Sequence, residues 1–206
     1  MATAALLLEF LALFGGGPLL VLLFKQRLIF VLLLWVGAFA AWRLTRREPP
    51  PPAPDLRREL RAIALRFAVL APLLTLATWL ALPEAFLAFP RERTWLWLAV
   101  MIGYPLLSVW PQEMIYRRFL FSRYAPLFGE GGGYLAASAL AFGYAHIILL
   151  NGIAVAMTAL GGLLFAAGYA RHRSLALVCL EHALYGCLIF TVGLNRFFFT
   201  GYVWHH

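Results

Sequence analysis

Glu113 and Arg117 stand four residues apart in YPLLSVWPQEMIYRRFLFSRY, residues 104–124, a segment that continues an apolar run. On a helix that spacing puts both on one face, with the acid on the N-terminal side, where the pair is most favourable. Two histidines lie in later apolar runs: His146 closes AFGYAHI, and His182 sits in LEHALYG beside Glu181. A charged group at the centre of a bilayer costs about 2.5–3.5 kcal/mol even on lenient scales, so such residues mark working sites by default. One acid, its arginine and two imidazoles on three segments could supply a water-activating group, a clamp that orients it, and either oxyanion donors or metal ligands. Plainer readings compete with this one. Glu113 and Arg117 could be a self-neutralising pair, and each histidine a helix–helix hydrogen-bond donor.

The frame that positions these groups is a membrane-embedded one. Only 13% of residues are charged and 63% are hydrophobic, against about 25% and about 45–50% in soluble domains, a difference that decides the class. Apolar runs at 4–24, 28–42, 62–82, 94–110, 133–150, 153–170 and 174–194, none with barrel-like alternation, predict an all-α polytopic membrane protein of about seven to eight membrane helices. GGGP at 15–18 predicts a half-helix or a broken span, and 28–42 is short for a crossing. Segments 94–110 and 111–128 read as one long helix kinked near Pro105 and Pro111, because neighbouring helices can re-satisfy the carbonyls that prolines free.

The loop RLTRREPPPPAPDLRRELR, 43–61, joins a stiff proline run to flanking arginines and is expected in the cytoplasm. Counting onward puts 83–93 outside, 111–130 inside, 150–152 outside and RHR at 171–173 inside; KQR at 25–27 fits this badly. The organisation expected is N-terminal helices over 1–93, a core over 94–194 and a tail over 195–206, with His205 and His206 part of the tail. The net charge of +8 arises from arginine clusters between apolar runs, the pattern that orients a membrane protein, which excludes nucleic-acid binding. Cys179 and Cys187 lie about 12 Å apart along one predicted helix, too far to pair. The N-terminal run lacks a basic start and carries Glu9, so no cleaved signal peptide is expected.

Ala139, Phe142, Gly143 and His146 share a helical face, so small residues let another backbone approach beside the imidazole. Tyr185 and Gly186 lie on the His182 side, whereas Glu181 points about 100° away and is expected to meet Arg66 or a loop arginine. Other intramembrane protease chemistries are excluded: there is no HExxH, no GxSx serine with a partner histidine and no aspartate in a span.

The stretches QEMIYR (112–117), FGYAH (142–146) and HALYG (182–186) resemble, in order and spacing, the EExxxR, FxxxH and HxxxN motifs of the CPBP family, the CAAX-endopeptidase and bacteriocin-processing membrane proteins. Glu113, Arg117, Phe142, His146 and His182 match. The resemblance implies an intramembrane endopeptidase in a bacterial cell membrane, surrounded by lipid. Its substrates would be peptides or proteins with hydrophobic or lipidated tails, cut by Glu/His-activated water. Two positions depart from the pattern. Gln112 stands where the family's water-activating glutamate is expected, and Gly186 where it has asparagine. An amide cannot take a proton at neutral pH, which leaves Glu113 as the expected base and Glu181 as a poorly oriented substitute. Tyr185, Asn151 or exposed backbone at Gly186 would replace the lost donor, and Tyr116, on the Glu113 side, would gate or donate. Glu113, His146 and His182 would suit zinc with an open fourth position; a metal-free site is equally compatible. The alternative is an inactive relative that keeps the cavity to bind peptides. A proton-relay transporter is disfavoured, since no inverted repeat is visible.

Overall fold

The computed structural model describes residues 2–24 and 27–198, which are helical apart from short connections and the proline loop. Seven long helices make up the frame: α1 (Thr3–Phe24), α2 (Arg27–Thr45), α3 (Leu56–Ala81), α4 (Thr94–Arg123), α5 (Gly132–Leu149), α6 (Gly152–His172) and α7 (Leu175–Val192). All except α2 are long and apolar enough to cross a membrane, and α2 adds a shorter apolar stretch, Phe30–Thr45. Large apolar side chains such as Leu23, Trp95, Ile102 and Leu160 stay exposed on the outside of the bundle, as a lipid-facing surface requires.

The glycines of α1 do not break it. A wide π turn over Leu11–Gly16 absorbs them, and Pro18 follows inside a continuing helix. The extra residue in such a turn relieves the clash and lost donor that a proline imposes. α4 is likewise one helix, with π segments at Pro105–Val109 and Met114–Phe119. Each proline robs the carbonyl four residues earlier of its usual N–H. Leu107 O, four before Pro111, accepts the Trp35 indole N–H at 3.1 Å from α2. Met101 O, four before Pro105, receives the Cys187 thiol at 3.9 Å from α7.

Connections are capped by short polar side chains. Asp55 accepts from Arg58 N at 3.0 Å and starts α3 after the proline run. Asn151 accepts from Ala154 N at 2.7 Å and starts α6. α5 and α6 pack closely because Gly143 has no side chain: a Cβ there would lie 2.8 Å from Ala159 Cβ. α6 is thus the backbone that the small residues beside His146 admit.

The arginine-rich segments meet at one end. Arg171 pairs with Glu59 at 2.7 Å, Arg173 with Glu130 at 2.9 Å, and Arg118 donates to Thr45 O at 3.1 Å. Clustered arginines of this kind are what orients a membrane protein. Glu9 joins it through Arg123, at 2.7 Å. At the opposite end Leu87 N bonds Val192 O, Asn151 bonds Phe197 O, and Val21 packs on Ile148 and Leu149. Of the KQR stretch that fitted the count badly, Arg27 opens α2, whereas Lys25 and Gln26 lie outside the described residues, as do His205 and His206.

Candidate active site

α4 supplies Glu113 from the short stretch between its two wide turns and Arg117 from within the second. Both side chains are fully buried, at 0% exposure. Arg117 Nε lies 3.1 Å from Glu113 Oε2. Its Nη1 donates to Ser138 Oγ at 2.9 Å, and Ser138 Oγ donates to Tyr116 O at 2.8 Å. The guanidinium also lies 4.7 Å from the centre of the Phe142 ring, a cation–π contact that favours the charge where water is absent. Glu113 Oε2 and Arg117 Nη2 are nevertheless buried without an aligned hydrogen-bond partner.

His182 reaches Glu113 from α7, with Nδ1 2.8 Å from Oε1. A carboxylate can only accept, so Nδ1 carries the proton, and in the neutral form of the ring Nε2 is an acceptor. The Tyr104 hydroxyl donates to that Nε2 at 2.9 Å. The imidazole stacks on Phe165 of α6, with ring centres 4.7 Å apart and planes 21° apart. Its edge meets Phe142 at 5.5 Å. His146 packs on the same Phe142 ring at 4.9 Å, and its Nδ1 donates to Phe142 O at 2.8 Å. That bond leaves Nε2 of the half-buried His146 as the ring's acceptor nitrogen, with its lone pair unspent on Phe142.

Arg117, His146 and His182 therefore gather around the Phe142 ring, with Glu113 joined to Arg117 and His182. Other sequence expectations come out differently. Glu181 is not a substitute base: Arg66 grips it bidentately at 2.8 and 3.0 Å, and it faces away from Glu113. Arg66 was one of the partners expected for it. Tyr116 contributes its carbonyl, while its ring packs on Phe14 and Phe142. Tyr185 Oη has no aligned partner, and Asn151 is occupied in capping α6. Neither replaces the donor missing at Gly186. Gln112 is buried and donates to Ser108 Oγ at 2.6 Å.

The donor set also fails to fit a metal. Among the described residues no group of three His, Cys, Asp or Glu side chains is arranged to hold one. His182 uses Nδ1 on Glu113 and Nε2 on Tyr104, and His146 turns Nδ1 to a backbone carbonyl.

Sequence reasoning missed Tyr104, Ser138 and Phe165. Nine residues of regular helix make about two and a half turns, which would put Tyr104 opposite Glu113. The wide turn Pro105–Val109 lies between them, and both reach His182.

Residues 93–188 match the family model described as type II CAAX prenyl endopeptidase Rce1-like. No curated protein and no solved structure matches the chain.

Proposed function

Taking residues 93–188 as a member of the Rce1-like family, we propose that the protein is an intramembrane endopeptidase that cuts peptides carrying a prenylated or otherwise hydrophobic C-terminal tail. The observation that carries this reading is the buried 2.8 Å bond between Glu113 and His182, on different helices, with His146 and His182 packed on the same Phe142 ring. Nothing in the packing of a plain helix bundle requires three ionisable groups there, and their placement is costly.

In the mechanism proposed, His146 is the base. Its Nε2 takes a proton from water as the oxygen attacks the scissile carbonyl carbon, then returns that proton to the amide nitrogen as the C–N bond breaks. Glu113 is a poorer base than the sequence suggested, because Oε1 already accepts from His182 and Oε2 faces Arg117. Its role is to hold the His182 ring, with Arg117 balancing the charge. The Gln112 amide oxygen can align a water without taking its proton. No step is routed through a metal.

The test is cleavage of a prenylated C-terminal peptide by the full chain in liposomes. His146→Ala, His182→Ala and Glu113→Ala should each abolish turnover while the protein still inserts. Wild-type turnover by His146→Ala would overturn the mechanism. The second reading, an inactive peptide-binding relative, is favoured by Gln112. It would win if the natural chain is silent and Gln112→Glu switches cleavage on.

A further inference from the structure

Gly186 stands one helical turn beyond His182 on α7, where a side chain would lie along the imidazole. The space is already filled, from another helix. A Cβ at residue 186 would fall 2.2 Å from Tyr104 Cε1 and 2.4 Å from Tyr104 Oη, distances that atoms not bonded to each other do not tolerate. The same tyrosine hydroxyl bonds His182 Nε2 at 2.9 Å, and its ring meets His182 edge-on at 6.0 Å. Phe190, a further turn along α7, packs on its other side at 5.2 Å. The glycine and the tyrosine are thus two halves of one arrangement, in which the missing side chain on α7 is what lets a phenol from α4 reach the imidazole.

From this geometry we infer that Tyr104 is a positioning residue for His182, admitted by Gly186, and that the two positions act as a unit. The inference rests on the endopeptidase reading for its effect on rate, and on geometry alone for the bond itself. Glu113 fixes Nδ1 and Tyr104 fixes Nε2, so both nitrogens of the ring are tied and its orientation is set at two points. When His182 carries a proton on both nitrogens, Nε2–H donates to the phenol oxygen and frees the phenol proton to point into the site. The ring of Tyr104 also covers the His182 edge, so its removal would expose the imidazole as well as unbind it.

Two measurements on the full chain in lipid nanodiscs test this. The first is the nitrogen spectrum of histidine-labelled protein. Tyr104→Phe keeps the ring that fills the space over Gly186 and removes only the hydroxyl, so it should shift the His182 Nε2 resonance while leaving those of His146 in place. An unmoved His182 resonance would overturn the proposal.

The second is turnover of the prenylated peptide. Tyr104→Phe should lower kcat about 10- to 100-fold, with KM within about twofold, as expected when an orienting hydrogen bond is lost. Gly186→Asn should be at least as damaging, because its side chain evicts the tyrosine. Adding Tyr104→Ala to Gly186→Asn should then restore part of the rate, the amide taking over the space and the bond. Wild-type kcat in Tyr104→Phe, or additive losses in that double variant, would overturn the inference. A wild type that cleaves nothing would sink the endopeptidase reading instead, and the spectrum would still decide the Tyr104–His182 bond.

Discussion

Neighbouring residues on α7 lead into two different ionic centres. Glu181 and Arg66 form a closed pair: the carboxylate is fully buried, and both oxygens are taken by one guanidinium at 2.8 and 3.0 Å. Glu113 and Arg117, on α4, are buried as deeply, yet Glu113 Oε2 and Arg117 Nη2 lack aligned partners. The first centre joins α3 to α7 and uses up its hydrogen-bonding capacity. The second shares its acid with an imidazole and keeps capacity in reserve. Buried polar atoms without an aligned partner are uncommon in a native protein, and a catalytic role is one of the reasons for them. Charge and burial alone would not separate the two centres; what does is whether the set of bonds is complete.

The largest contrast expected is in rate. His182→Ala should reduce peptide cleavage by about 10³-fold or more, the scale of losing a reacting or acid–base group, whereas Arg66→Met with Glu181→Met should leave it within about tenfold. Equal losses in the two would erase the distinction between the centres.

Stability should run the other way. Arg66→Met alone strands a buried carboxylate and should cost about 3 kcal/mol. The paired change to methionines should bring denaturation midpoints back to within about 1 kcal/mol of the natural chain, because an apolar pair of similar volume often replaces an ion pair without loss. A double variant as unstable as the single one would mean that Arg66 does more than neutralise Glu181.

A smaller effect sharpens the view of α4 as a proline-containing helix whose freed carbonyls are met by its neighbours. Trp35→Phe removes the indole N–H from Leu107 O and should cost about 1 kcal/mol. Smallest is Asp55→Ala, which uncaps α3 beside the proline run and should lower stability by about 0.5–1 kcal/mol with no effect on cleavage.

Much of this was legible from residue types and spacing. The 3.6-residue period and the cost of charge in lipid pointed to Glu113, Arg117, His146 and His182, and a neighbour's offset on a helix sent Glu181 toward Arg66. The two prolines were also compatible with one long helix from 94, expected to reach 128 and ending instead at Arg123. Tyr104 escaped because regular helix geometry puts it on the wrong side of α4, and the only hint was a glycine where a side chain was expected. The broken first span was misread for a related reason, while the sequence leaves the zinc set open beside a metal-free site. Wide turns accommodate GGGP without breaking α1, and a histidine's second nitrogen can be spent on a tyrosine that a ligand count does not include.

The π turn at Pro105–Val109 makes the site's assembly a matter of phase. It holds one residue more than a regular coil would, and that surplus rotates Tyr104 round to the side of Glu113. Excising any single residue from it would swing the upstream rod by about 100°, leaving the phenol, the acid and the imidazole all present in the chain yet unable to meet.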